Sequence, residues 1–549
     1  MGRPEDIRVP SESHFALLAE ELGLGPEDLR EKRDGNEVVQ IDQPVGLGAD
    51  VVEALRGIVG AENVQVDAYS RVKYGHGKLQ EEMLLLRRGV VGKAPDVVVH
   101  PRSKEEVEAL MAFCDGRGIP MYVYSGGSSV NFGLRAEKGG VTVVLSTHLN
   151  KVLEVNEKNQ TARVQAGCMG PDFEGALNDA PALYGTAHRY TCGNFPQSFE
   201  LSSVGGWVLT LGSGQASTYY GDAAAMALGM EIVTPAGALR TQEYPSTATG
   251  PKVLDMLKGS EGAFGIVTEL TVKIFRYMPE NRQYFGYLFP SWADAVEATR
   301  AISQGEFGLP AVLRISDGEE TKHGLRMSGL SSMAERYLRW RGYVEGQRCG
   351  CIGTVEGDAA YTRLVRKKIH RIAKRHGAMG LGEKPAREWE KERYKTFLVV
   401  EALLDYGIVF DTVETPVRWD NLERIHTEVR AYANGVPNSI CLSHASHFYA
   451  SGTNLYFIFA LKGSVEAYSA FRTGIIDAMV RAGGSPSHHH GVGRLLAPWI
   501  ESYLGKGEMD VLRALKQHFD PKGIMNPGGQ LGLDLPEELR RSTGAKGTD

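Results

Sequence analysis

Residues 487–493 read Ser-His-His-His-Gly-Val-Gly. Three adjacent imidazoles, His488, His489 and His490, could ligate a metal ion or move protons near neutral pH, where histidine titrates. The run is internal, which sets it apart from an expression tag. A second stretch, Ser-His-Phe-Tyr-Ala-Ser-Gly-Thr-Asn-Leu-Tyr-Phe (446–457), carries His447 and Tyr449, with His444 just before it. A tyrosine whose surroundings perturb it can act as an acid–base group, and one between apolar residues can equally be core. Arg314, in Ala-Val-Leu-Arg-Ile-Ser-Asp, offers a cation for an oxyanion or a phosphate, or a partner for an acid such as Asp317.

Glycine loops form a second group. In Val-Tyr-Ser-Gly-Gly-Ser-Ser-Val-Asn-Phe-Gly-Leu (123–134) an apolar run enters adjacent glycines, whose backbone N–H groups can turn inward as an anion-binding nest. Ser128 and Ser129 add hydroxyl donors. The loop is neither G-x-G-x-x-G nor a Walker loop, since no Lys-Ser/Thr follows. Two further segments, GNFPQSFELSSVGGWVLTLGSG (193–214) and KGSEGAFGIVTEL (258–270), are similar in texture. Three such loops suit an extended cofactor held by backbone.

The elements that must position these groups alternate. DVVVHP (96–101), MYVY (121–124), VTVVLS (141–146), TARVQAG (161–167), MEIVTPAG (230–237) and GIVTELTVKIF (265–275) read as strands. SKEEVEALMAFCDGRG reads as a helix with a Ser103/Glu106 capping box and a Val107, Leu110, Met111, Cys114 stripe. Longer helices (SWADAVEATRAI, AAYTRLVRKKIHRIAKRHG, NLERIHTEVRAYANG) and the strand NLYFIFALKG follow, then the helix VLRALKQHF and the turn DPKGIMNPGG. This predicts an α+β chain. The expected divisions are an N-terminal, partly helical segment (1–92), a nucleotide-binding domain (93–277), a second α+β domain (278–500), a C-terminal return (501–535) and a flexible tail (536–549). No internal repeat is present.

The bulk numbers exclude some classes. A net charge of −6, from 61 basic and 67 acidic residues, gives no basic excess for nucleic acid. Six scattered cysteines form no disulfide framework and point to a reducing, cytoplasmic setting. Cys349 and Cys351 would share a strand face, as buried hydrophobes or as a redox or metal pair. No apolar run is long enough to span a membrane, and neither a secretory leader nor a C-terminal address is read. The basic helix at 363–377 is a solvated face or a contact for anionic lipid.

In their order, VYSGGSSVNFGL, PQSFELSSVGGW and GSEGAFGIVTEL resemble the FAD-binding domain of vanillyl-alcohol-oxidase (PCMH-type) flavoproteins. More narrowly, GNFPQSFELSSVGGWVLTLGSGQASTYYG and SHHHGVG resemble the alkyldihydroxyacetonephosphate synthase family, over about 90–530. The resemblance implies a two-subdomain PCMH-type FAD-binding domain plus an α+β cap domain for substrate. It assigns the cofactor to Tyr124, Ser125, Gly126, Gly127, Ser128 and Ser129; to Pro196, Gln197, Ser198, Phe199, Glu200, Leu201 and Ser202; to Thr210, Leu211, Gly212 and Ser213; and to Glu261, Gly262, Ala263, Phe264, Gly265, Ile266 and Val267. The usual histidine of the first loop is absent, so FAD is expected to be non-covalent.

The family exchanges the acyl group of acyl-dihydroxyacetone phosphate for a fatty alcohol through a bond to flavin N5, as a transferase of ether lipid metabolism. The resemblance gives Tyr449 the acid–base role, with His488, His489, His490 and Arg314 beside it. A sister group of 2-hydroxyacid dehydrogenases carries G-E-H-G-I-G where this chain has His-His-His-Gly-Val-Gly, so its metal-binding glutamate falls on His489. No metal is expected, although His444, His447 and the triple run leave an all-nitrogen site open. The family's phosphate-binding arginine falls on Val400, with Arg393, Lys395 and Arg418 as nearby cations. FDPKGIMNPGG (519–529) is like the oxidases and dehydrogenases of the wider family. A second reading is therefore an FAD-linked oxidoreductase of an alcohol or 2-hydroxyacid. A third is a flavin-binding protein without catalysis. The partners expected are a small-molecule or lipid-like substrate, a peripheral membrane contact and a second copy in a homodimer.

Overall fold

A computed structural model describes residues 12–29 and 40–541, so most of the expected tail lies outside the described residues. The chain divides into two compact units. One comprises Asn36–Ser213, Asp222–Tyr277 and His489–Asp549; the other comprises Met1–Gly35, Gly214–Gly221 and Met278–His488. The boundary thus passes through the histidine run, between His488 and His489.

The first unit holds two larger sheets and a two-stranded pairing of Tyr190–Thr191 with Phe275–Arg276. β1 (Val64–Gln65), β2 (Val97–Val99), β3 (Met121–Tyr124) and β4 (Val141–Val144) form a sheet of order β1-β2-β4-β3, in which β4 runs parallel to both β2 and β3. Parallel strands covered on both faces read as unbroken apolar runs, and the three valines of β2 are all fully buried. Helix α1 (Lys104–Arg117) crosses between β2 and β3. Its expected stripe of Val107, Leu110, Met111 and Cys114 is buried, and Gly118 ends it at φ 65°. The capping box closes only by half. Ser103 Oγ accepts from the Glu106 N–H, while the Glu106 carboxylate reaches past Ser103 to accept from the Arg102 N–H at 2.6 Å. The second sheet is antiparallel: β5 (Val152–Asn156), β6 (Thr161–Gln165), β7 (Ala227–Thr234), β8 (Gly237–Arg240) and β9 (Ile266–Lys273) lie in the order β5-β6-β9-β7-β8. The C-terminal segment returns to the first sheet, where Met121 N–H donates to Ile524 O and Asn526 N–H to Met121 O, both at 2.8 Å.

The second unit is built on one antiparallel sheet. β10 (Gln283–Phe289), β11 (Val312–Ser316), β12 (Cys349–Val355), β13 (Met379–Gly382), β14 (Ile408–Arg418), β15 (Ser439–Tyr449) and β16 (Gly452–Lys462) take the order β13-β10-β12-β11-β15-β16-β14. Helices α2 (Gly318–Met327), α3 (Ser332–Trp340), α4 (Ala359–Arg375), α5 (Thr396–Asp405), α6 (Leu422–Asn434) and α7 (Val465–Arg481) belong to the same unit. Phe457 and Phe459 on β16 are fully buried, as are Tyr468 and Ile475 on α7. Each such Phe contributes about 1.5–3 kcal/mol of burial. Cys349 and Cys351 are buried, free thiols on β12, and burial pushes Cys351 up to about 12, which suits packing rather than reactivity. The expected α+β class is what the structure has.

Candidate functional site

In the first unit the glycine loops pack on one another. A Cβ at Gly126 would meet Leu201 O at 2.2 Å and Ser202 Cα at 2.8 Å, so two of the expected cofactor loops touch where only glycine fits. Gly127 has φ 74°, and a Cβ there would fall on the Tyr124 hydroxyl. Ser129 Oγ donates to Asn131 Oδ1 at 2.6 Å and accepts from the Gly133 N–H, so it braces its own loop. Ser125 Oγ, Ser260 Oγ and both polar side-chain atoms of Asn194 are buried without a hydrogen-bond partner. Buried polar groups are rarely left so. Unpaired hydroxyls and an amide beside glycine cradles fit a phosphate-bearing, hydrogen-bonding cofactor such as FAD.

Glu261 has a different task. Its carboxylate accepts from the Val492 N–H at 2.6 Å, the Gly493 N–H at 2.8 Å and the Gln530 amide. It therefore anchors the glycine turn that follows the histidine run. Burial raises its carboxyl to about 7 against these bonds. Within this unit the His489 and His490 rings lie 4.6 Å apart, and the His490 carbonyl accepts from Asn131 Nδ2 at 3.0 Å.

The second unit brings the remaining groups together. Tyr449 ends β15, and its hydroxyl lies 2.7 Å from His488 Nε2. The His488 backbone N–H donates to both oxygens of Glu414 at 2.9 Å, and Ser487 Oγ donates to the same carboxylate. One residue on, Thr415 Oγ1 donates to Ser485 O at 2.8 Å. Two consecutive residues of β14 thus fix the loop that presents His488. His447 sits in a β-bulge, where the register shifts between Ser446 and Tyr449, with φ 56°. A non-glycine residue in that conformation is costly and marks a position held by its surroundings. Its ring is buried and 5.2 Å from His488. Nδ1 lies 2.6 Å from Ser217 Oγ and Nε2 2.6 Å from the Tyr456 hydroxyl. Both ring nitrogens are thus engaged by hydroxyls.

Tyr456 pairs across the sheet with Glu414 on one side and His444 on the other. Burial, then the Glu414 charge, pushes its hydroxyl well up, so it stays protonated. The His444 ring stacks on it at 4.4 Å. Arg314, on β11, donates to Glu320 Oε1 at 2.6 Å and to His444 Nδ1 at 3.2 Å. Burial and the Arg314 cation lower His444 and keep it neutral. Burial pushes Glu320 up, but Arg314 and the contact with His444 together outweigh it and bring the carboxyl down to about 2. Glu320 Oε2 is buried without a hydrogen-bond partner.

Arg314, Tyr449 and His488 are therefore linked through His444, Tyr456 and His447. His489 and His490 belong to the other unit. Sequence reasoning missed Glu320, Ser217 and Glu414. Glu414 gave no signal, because its cross-strand pairing with Tyr456 is not visible in the sequence. Ser217 had none, since the loop Gly214–Gly221 leaves the first unit within a stretch that reads as one motif. Val400 is a half-buried residue of α5. Of the cations near it in sequence, Lys395 pairs with Glu392 and Arg418 with Asp420, while Arg393 lies over the Trp389 and Tyr394 rings. Among the described residues, no helix is long and apolar enough to cross a membrane.

The family described as FAD binding domain matches residues 95–242, and that described as FAD linked oxidases, C-terminal domain, matches residues 278–529. The alkyldihydroxyacetonephosphate synthase of Dictyostelium discoideum is 32% identical over 554 residues, covering 96% of this chain and 89% of that one. Its counterpart in Trypanosoma brucei brucei is 29% identical over 501 residues, covering 87% and 80%. A solved alkyldihydroxyacetonephosphate synthase superposes with a TM-score of 0.79 at 28% identity, over 94% of this chain and 92% of the other.

Proposed function

The chain belongs to the alkyldihydroxyacetonephosphate synthase family of FAD-dependent enzymes, and from that premise we propose that it replaces the acyl group of an acyl-dihydroxyacetone phosphate-like substrate by a fatty alcohol. The bond from the substrate carbon to the acyl oxygen breaks, a bond to the alcohol oxygen forms, and the alcohol proton leaves with the fatty acid. Electrons balance without an acceptor. When bound, FAD supplies the reactive ring position at which the ketone-bearing substrate is activated.

The residues of this chain move the protons. The observation that carries this reading is the Tyr449 hydroxyl, 2.7 Å from His488 Nε2. Tyr449 takes a proton from the substrate and returns one, with His488 as its partner in each transfer. Glu414 fixes the His488 backbone and so holds the imidazole against the Tyr449 hydroxyl. His447 and Tyr456 hold the wall behind them. Arg314 is poised by Glu320 and offers its remaining N–H groups to an anionic substrate oxygen.

A second reading, FAD-linked oxidation of an alcohol or 2-hydroxyacid, is favoured by one observation. The position of the family's phosphate-binding arginine holds Val400, and two of the nearby cations already have carboxylate partners. Anaerobic mixing separates the two readings. Under the first, fatty alcohol or 2-hydroxyacid alone leaves the flavin oxidised. Rapid stoichiometric bleaching by either would overturn it in favour of the second.

A further inference from the structure

Helix α3 carries apolar side chains on two opposite sides. On the inner side Leu338 is buried with Leu288 and Tyr343, and Glu335 pairs with Arg348 at 2.6 Å. On the outer side Met333, Tyr337 and Trp340, spaced i, i+4, i+7, form one stripe and are 71%, 48% and 79% exposed. Met327, at the end of α2, is 50% exposed as well. Single exposed apolar residues need no explanation, but a stripe ending in a tryptophan turned to water marks a surface with a partner.

The charge around the stripe identifies that partner. Arg336, Arg339 and Arg341 are all exposed, and among the described residues none of them has a carboxylate within ion-pair distance. Arg341 instead donates to the Tyr337 hydroxyl at 3.0 Å. The Tyr343 hydroxyl donates to Gly377 O at 2.7 Å, which joins the chain just past α3 to the chain just past α4, whose last turn carries the exposed Lys374 and Arg375. This cationic ground stands out in a chain of net charge −6. A second copy of the chain meeting the stripe face to face would set unpaired arginines against one another. Phosphate headgroups over an acyl layer complement both features, because Trp and Tyr settle at that boundary and arginine pairs with phosphate.

We propose that α3 is the element by which the protein docks on an anionic lipid surface, with Met333, Tyr337 and Trp340 entering the interface and Arg336, Arg339 and Arg341 holding headgroup phosphates. The proposal is independent of which reaction the flavin serves.

The test is co-sedimentation of the FAD-loaded full chain with phosphatidylcholine vesicles, with and without phosphatidylserine. The wild type is expected on the mixed vesicles and not on pure phosphatidylcholine, with binding weakened by salt. Each Arg→Gln change should weaken binding about fivefold. Met333→Ser/Tyr337→Ser/Trp340→Ser should abolish it, with Trp340→Ser alone as the milder variant, while FAD content and thermal midpoint stay at wild-type values. Wild type that ignores anionic vesicles, or apolar variants that bind as tightly as wild type, would overturn the proposal. So would light scattering in which the triple variant dissociates a dimer while no form binds vesicles, since that result assigns the stripe to a second copy.

Discussion

At the scale of single residues the account rests on pairs that share protons. Tyr449→Phe removes the hydroxyl that meets His488, and His488→Asn removes the imidazole. Each should lower turnover by about a hundredfold or more while FAD remains bound; turnover that survives both changes would remove the acid–base role. Glu414→Gln keeps an oxygen for the His488 N–H but deletes the charge. Turnover should then fall while FAD content stays at the wild-type value; loss of FAD together with turnover would mark a purely structural role. Glu320, held at about 2 beside Arg314, has an ordinary value of 4.5. A depressed carboxyl stabilises the fold above its unfolded value and loses that contribution as pH falls through 4.5 toward 2. Glu320→Gln should therefore cost about 3 kcal/mol at pH 7, and the gap to wild type should close in acid denaturation. Of these groups, Tyr449, His488 and Arg314 were legible from residue type and motif. Glu320 and Glu414 were not, because a carboxylate in a strand or a first helical turn reads as surface charge until its neighbours are known.

At the scale of elements, the site depends on three adjacent strands. β14 supplies Glu414 and Thr415, β15 supplies His444, His447 and Tyr449, and β16 supplies Tyr456. Thr415→Val should lose the bond to Ser485 O and loosen the His488 loop, with a stability cost of about 1 kcal/mol and a larger loss of turnover; equal small losses in both would argue against a positioning role. Sequence reading placed the helix α1 stripe and the short parallel strands because their apolar periodicity is unbroken. It missed the bulge at His447, since the register of a strand follows from its partner and from turn geometry rather than from its own alternation. The half-closed capping box failed for a similar reason: Arg102, one residue outside the motif, offers Glu106 a backbone N–H and a guanidinium together.

At the scale of the whole molecule, each unit carries its own buried charge. In the first unit Glu82 and Glu261 are both raised to about 7 by burial, from an ordinary 4.5. Between those values the folded chain keeps protons that the unfolded chain has released, so stability falls as pH rises through that window. Glu82→Gln/Glu261→Gln should flatten the dependence of the thermal midpoint between about pH 5 and pH 7, read by release of FAD fluorescence; an unchanged slope would place the titration elsewhere. FAD binding was legible from the glycine loops. The transfer of Gly214–Gly221 and of the boundary to the histidine run was not, because chain order does not report which unit a loop joins. The most direct measurement follows oxygen. FAD-loaded protein is incubated without air or electron acceptor with acyl-dihydroxyacetone phosphate and an oxygen-18-labelled fatty alcohol. The account predicts an ether product carrying the labelled oxygen, one fatty acid released per ether formed, and flavin oxidised at the end. Bleached flavin with no labelled ether would contradict it.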